Sequence, residues 1–153
     1  INSDSWDSHN NINLKAPLFL SRDLSTQIKK DAPRIIINII DQRIFFPNPE
    51  FISYTSSKQS LMWLTQTLAQ ALSPQIRVCA IGPWPTLQGA RQSKKDFKNQ
   101  SLSTPLMIGS NPEEIYQAVK FIIDMPSFTG QMITLDGGEH LDWIKKEDKN
   151  FKD

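Results

Sequence analysis

Residues 34–41 read RIIINIID, and residues 53–83 read SYTSSKQSLMWLTQTLAQALSPQIRVCAIGP. The first stretch is a nearly unbroken β-branched run closed by an acid, the pattern of a strand, Arg34–Ile40, covered on both faces. In the second, Leu61, Leu64, Leu68 and Leu72 recur at spacings of three and four. That periodicity predicts a helix over Phe51–Leu72, which Pro74 stops. A second short apolar run, Ile76–Ile81, follows at once. Strand, long helix, strand is the signature of a parallel crossover, so the fold class is α/β.

Working outward, residues 5–29 read as a helix bent or restarted at Pro17. Asp41–Pro49 reads as a loop, because Pro47 and Pro49 oppose helix. Gly82–Ser110 is the least regular stretch, with a short polar helix expected over Gln88–Asn99. Long irregular stretches of this kind are usually functional. Asn111 followed by Pro112, Glu113 and Glu114 is a strong helix start, and the helix should run to about Asp124. Gln131–Leu135 is a last strand, followed by Asp136-Gly137-Gly138. Residues 144–153 form a charged, solvated tail, leaving 1–143 as the folded part.

Composition narrows the function. The chain has 153 residues, 39% hydrophobic and 22% charged, with net charge +1. That is a globular composition with no electrostatic drive toward nucleic acid or an anionic membrane. No apolar run approaches the ~20 residues of a membrane span. The single cysteine, Cys79, makes no internal disulfide and fits a reducing cytoplasm. It reads as inert core. His9 and His140 read as surface residues, with no metal motif and no metal expected. Trp63 reads as packing or interface. Arg91, Lys94 and Lys95 read as a solvated basic face.

The chemistry-bearing feature is Tyr54 followed four residues later by Lys58, which places both on one helix face. An ammonium beside a phenol favours phenolate, so Lys58 is expected to lower the Tyr54 pKa and fit it for proton exchange with a carbonyl or alcohol oxygen. Asp41 stands thirteen residues earlier, at the carboxyl end of the first strand. Gly82-Pro83 ends the second strand at the same edge, where open α/β sheets bind ligands.

Together these segments resemble the short-chain dehydrogenase/reductase family. Asn13-Leu-Lys-Ala-Pro17 is similar to its helix carrying the active-site Asn, RIIINIID to the strand ending at the partner of the catalytic Tyr, and TGQMITLDGGEHL (129–141) to the closing strand. The resemblance covers about residues 13–141. It implies the C-terminal half of a Rossmann-type doubly wound parallel sheet, about three strands with flanking helices. It implies hydride transfer with NADPH as cofactor, NADH being the alternative. Carried over by residue, Tyr54 is the general acid/base and Lys58 holds the nicotinamide ribose. Asn13 supports a water leading from Lys58. Pro83 starts the loop closing on the nicotinamide, and Thr86 binds its carboxamide. Most members carry Ser where this chain has Asp41, and the pteridine reductase branch, including the dihydromonapterin reductase type, carries Asp. That branch implies a pterin-like substrate, with Asp41 relaying a proton. Trp84 stands where the family usually has Gly, to stack on a ligand or to block it.

The six glycines, 82, 89, 109, 130, 137 and 138, fall in no phosphate-binding spacing. The resemblance therefore places the glycine-rich first half before Ile1, roughly 100 residues of it, at ~30 residues per βαβ unit. Two functional readings stay open. One is the catalytic half of a reductase, completed by that segment or by a homo-oligomer. The other is a non-catalytic interaction module, or an inactive remnant, pairing with full-length relatives.

Overall fold

The structure, a computed structural model, describes residues 2–27, 34–46, 48–90 and 92–141. The expected end of the first helix at Lys29, Arg91 of the basic cluster and the tail 144–153 lie outside the described residues.

Helix α1 (Ser3–Asn10) is capped by Asn2, whose side chain accepts from the Ser5 N–H. It runs through one widened turn, Asn11–Lys15, into α2 (Ala16–Thr26). The bend expected at Pro17 appears here as that turn. Pro17 has no N–H for the Asn13 carbonyl and its ring crowds the preceding turn, and the chain relaxes by bonding Ala16 N to Asn11 O, five residues back. Strand β1 (Arg34–Ile39) pairs in parallel with β2 (Ile76–Pro83), with Arg34 opposite Ile76 and Ile39 opposite Ile81. Strand β3 (Met132–Leu135) pairs in parallel with the other edge of β2.

The sheet order is β1-β2-β3, so β2 is central. Its alternation sorts two cores. Ile76, Val78 and Ala80 face α3 (Ile52–Ala71), meeting Leu61, Leu64 and Ala69. Cys79 and Ile81 face α5 (Pro112–Asp124), meeting Ala118 and Ile122. A helical layer on each face of a parallel sheet is the doubly wound arrangement expected. Cys79 is completely buried, as its reading as core requires.

Strand β1 is the apolar edge that RIIINII makes without the preceding half of the sheet, and it is not covered on both faces. Most of its residues are half-buried and Ile39 is 46% exposed, because β1 is the edge strand of the described sheet. A buried amide pins it instead. Asn38 donates to Thr65 Oγ1 at 2.9 Å, and Thr65 donates to Leu61 O at 2.8 Å.

The short helix of the irregular stretch lies later than expected. Helix α4 spans Lys94–Leu102, set by Ser93, whose hydroxyl accepts from the Asp96 N–H. Helix α5 begins as the sequence requires, with a reciprocal cap between Asn111 and Glu114. The loop before it is locked to the turn after β3. Gly137 has φ +62°, and a Cβ there would meet Ile108 O at 2.2 Å and Thr104 Oγ1 at 2.6 Å. Only glycine permits that approach.

Candidate active site

Parallel strands end together, and the site forms on their carboxyl rim. Asp41 follows β1 and is 6% exposed. One carboxylate oxygen accepts from Arg43 N at 2.9 Å, which starts a 3-10 turn over Gln42–Phe45. The other accepts from the Tyr54 hydroxyl at 2.7 Å. Tyr54 lies in the first turn of α3, and Lys58 one turn later donates to Ile39 O at 2.9 Å. The helix and the strand end are thus tied twice, by Tyr54 to Asp41 and by Lys58 to the backbone beside it.

The electrostatics reverse one expectation. Burial, then the Asp41 charge, then the hydrogen bond to Asp41 hold the Tyr54 phenol well above its ordinary value, with Arg43 the smallest, opposing influence. Lys58 does not lower it here. Its ammonium lies 5.9 Å from the phenol ring centroid and is turned to Ile39 O. Burial itself pulls the Lys58 ammonium down, and Asp41 acts in the opposite sense. A phenol beside a carboxylate holds its proton tightly and gives it up only to a stronger base.

Asn13 reaches the same turn from the side. Its amide donates to Ser57 Oγ at 3.0 Å, and Ser57, completely buried, donates to Tyr54 O at 2.7 Å. The widened turn carrying Asn13 therefore braces the backbone of Tyr54. Pro83 ends β2, and Pro83 and Thr86 line one cleft of about 960 Å3 with Asp41, Tyr54 and Lys58. The Thr86 hydroxyl stands 2.6 Å from Ser110 Oγ.

Other residues depart from their sequence readings. His9 is no bystander on the surface: Nδ1 lies 2.9 Å from Ser53 Oγ, and the ring stands edge-on to Tyr54 at 5.7 Å. His140 is half-buried, with Nδ1 2.8 Å from a carboxylate oxygen of buried Asp136. Trp63 is 66% exposed and so is not part of the core packing. Trp84 lines the cleft and is engaged by a neighbouring cation. The Arg43 guanidinium sits 4.2 Å from its ring centroid and 4.0 Å from that of Phe51. Sequence reasoning passed over Arg43, and its one signal was position, two residues after the rim acid.

A parallel α/β sheet flanked by helices, with Tyr54, Asp41 and Lys58 brought together on its carboxyl rim, defines a Rossmann-type protein. The family model described as Enoyl-(Acyl carrier protein) reductase matches residues 1–140, and the chain belongs to this short-chain dehydrogenase/reductase family, in its pteridine-reductase-like branch. The chain is 43% identical to FolM alternative dihydrofolate reductase 1 from Brucella suis, solved in complex with NADP, with a TM-score of 0.92. That likeness covers 96% of this chain and 60% of the Brucella chain. Dihydromonapterin reductase from Escherichia coli O6:K15:H31 is 26% identical over 133 residues, 85% of this chain and 55% of the enzyme. The short-chain dehydrogenase/reductase homolog YusR from Bacillus subtilis is 29% identical over 130 residues, 84% of this chain and all of YusR. The chain thus spans little more than half of the two reductases and the whole of YusR.

The rim residues fit one end of a nicotinamide dinucleotide. Tyr54, Lys58, Pro83 and Thr86 line one cleft of about 960 Å3, and their phenol, ammonium and hydroxyl are donors suited to a ribose and a carboxamide. Nothing in this sequence has the glycine spacing that cradles a pyrophosphate.

Proposed function

We propose that this chain is the catalytic part, residues 1–143, of an NADPH-dependent reductase that acts on a pterin-like substrate. The observation that carries the reading is the 2.7 Å hydrogen bond from the Tyr54 hydroxyl to buried Asp41. The NADP-bound Brucella suis structure and the dihydromonapterin reductases support the cofactor and the substrate class. NADH remains the competing cofactor, since the residues that select the phosphate are not among these.

Bound nicotinamide would supply the hydride. The chain's own residues handle the proton. Tyr54 carries its proton at neutral pH and serves as the acid once negative charge develops on the substrate; burial and Asp41 tighten its hold on that proton, so the substrate atom must become the stronger base before transfer. Asp41 accepts the phenol proton's hydrogen bond and is placed to pass a proton onward. Lys58 presents its ammonium to the ribose from the same helix face. Asn13 and Ser57 hold the Tyr54 turn in place.

A second reading is a module that pairs with a full-length relative or another copy of itself. Exposed Ile39 on the edge strand and exposed Trp63 on α3 favour it. One titration separates the two. Fluorescence titration of NADPH into the folded chain should saturate, and dihydropterin-dependent NADPH oxidation should follow. A folded chain that leaves NADPH fluorescence unchanged sinks the reductase reading and leaves the pairing module.

A further inference from the structure

Arg43 is built differently from an ordinary surface arginine. Its guanidinium lies between two aromatic rings, 4.0 Å from the Phe51 centroid and 4.2 Å from that of Trp84. Stacking of this kind occupies the flat faces of the group and leaves its in-plane N–H donors at the edge. Among the described contacts no acceptor meets those donors, and only the backbone N of Arg43 is engaged, with Asp41. Asp41 accepts from the Arg43 backbone N–H and the Tyr54 hydroxyl, and no described bond joins it to the guanidinium. The other acid lining the cleft, Asp96, accepts from Ser93 Oγ at 2.6 Å.

We propose that Arg43 determines substrate choice by receiving, on its free guanidinium edge, a carboxylate carried on the substrate's tail. The pterin ring of that substrate rests on the function proposed above, whereas the carboxylate rests on Arg43 itself. A planar fork with five donors matches a carboxylate in two-point geometry. Phe51 and Trp84 fix the fork before any ligand arrives, which removes the ordering cost a free arginine would meet on binding. The charge is near the chemistry as well, since Arg43 acts on the Tyr54 phenol. Neutral pterins gain nothing from this group, and pterins with an acidic tail gain an ion pair. The cleft should therefore prefer the tailed, dihydrofolate-like class over the neutral, dihydromonapterin-like class.

Calorimetric titration of the full chain tests this with four ligands: dihydrofolate, neutral 6-hydroxymethyl-dihydropterin, p-aminobenzoylglutamate, which is the acidic tail alone, and NADPH. Dihydrofolate should bind at least about tenfold tighter than the neutral pterin, and added salt should narrow the gap. In Arg43→Gln the preference should shrink about 10- to 100-fold and lose its salt dependence, the scale of a hydrogen bond to a charged group. Arg43→Lys, which keeps the charge without the fork, should fall between. An unchanged preference and salt dependence in Arg43→Gln overturns the proposal and leaves Arg43 as packing for two rings. A loss confined to NADPH also overturns it, assigning the guanidinium to a phosphate. If the tail binds in an Arg43-dependent way while the neutral pterin does not bind at all, the carboxylate site stands and the pterin reading fails.

Discussion

Strand β2 has an arginine near each end, and the two are used in opposite ways. At its amino end Arg77 donates to the carbonyls of Ile122, Ile123, Met125 and Phe128. Helix α5 has no basic residue in its own last turn, so Arg77 supplies the positive charge its carboxyl end favours. At the carboxyl end of the sheet, Arg43 is gripped between rings yet has no acceptor on its guanidinium edge among the described contacts. Its neighbours are perturbed too, with Tyr54 held up and Lys58 pulled down. The contrast separates two uses of one side chain. A cation whose terminal donors are turned to backbone carbonyls holds the fold, and a cation fixed with its guanidinium donors unmet is available to a ligand.

The sharpest way to break that contrast is to remove one group from each end. Tyr54→Phe deletes the acid together with its hydrogen bond to Asp41 and leaves the ring in place. NADPH-driven dihydropterin reduction by the holoenzyme should drop at least ~10²-fold, while the lost hydrogen bond to Asp41 lowers stability by only about 1 kcal/mol. Near-normal turnover would take Tyr54 out of the chemistry. Arg77→Ala should behave in the opposite way. Four carbonyls lose their donor, and stability should fall by about 2 kcal/mol, softened because water reaches some of them. For a chain of this size that is a drop of about 4–8 °C. Ligand affinity measured well below that midpoint should hold. If Arg77→Ala weakened ligand binding while stability stayed put, the two ends would not divide their labour as described.

The rim was legible in the sequence because its parts are tied to strand ends. Asp41 and Pro83 sit where β1 and β2 stop, and the leucine spacing fixed the face of α3 that carries Tyr54 and Lys58. What the one-dimensional pattern lacks is the direction of each polar side chain. Spacing put Lys58 beside Tyr54, but the nearer carbonyl of Ile39 takes its ammonium, and Asp41 takes the phenol. The sign of the Tyr54 shift follows from those partners, so it was read backwards. Arg43 and His9 were missed for a related reason. Their partners, Phe51 and Trp84 for one and Ser53 and Tyr54 for the other, come from segments that only the folded chain brings together. Helix α4 was misplaced because its polar sequence has no apolar period, and the Ser93 cap was the one usable signal.

Asp41→Asn probes the same cluster with a smaller change. The amide still accepts a hydrogen bond, but the charge that disfavours phenolate is gone. Tyr54 should then ionise at lower pH than in the parent. The chain has only two tyrosines, so a Tyr116→Phe background leaves Tyr54 as the sole source of the phenolate absorbance band. Turnover should fall by about tenfold, the lesser of the two rim effects, because the acid remains and only its proton partner is weakened. An unmoved titration would show that Asp41 does not set the Tyr54 proton affinity.

The smallest effect is a slope. Tyr54 binds its proton more tightly in the folded chain than in the unfolded one, where a phenol releases it near pH ~10. The stability this contributes is therefore full below about pH 10 and is lost as pH rises further, through the folded value. Lys58 runs the other way. Its folded value is depressed, so its cost is present at low pH and is relieved as pH rises toward the free-lysine value of ~10.4. The two slopes overlap, and the parent's curve alone mixes them. Subtracting the Tyr54→Phe curve removes the shared Lys58 contribution. Denaturant unfolding from pH 7 to 11 should give a parent-minus-variant difference that is flat up to about pH 9 and then declines. Arg77→Ala keeps Tyr54, so it should keep the decline on a lower plateau. Parallel parent and Tyr54→Phe curves across the whole range would mean that the phenol does not hold its proton through folding, and the polar rim would lose the property that sets it apart from the amino end of β2.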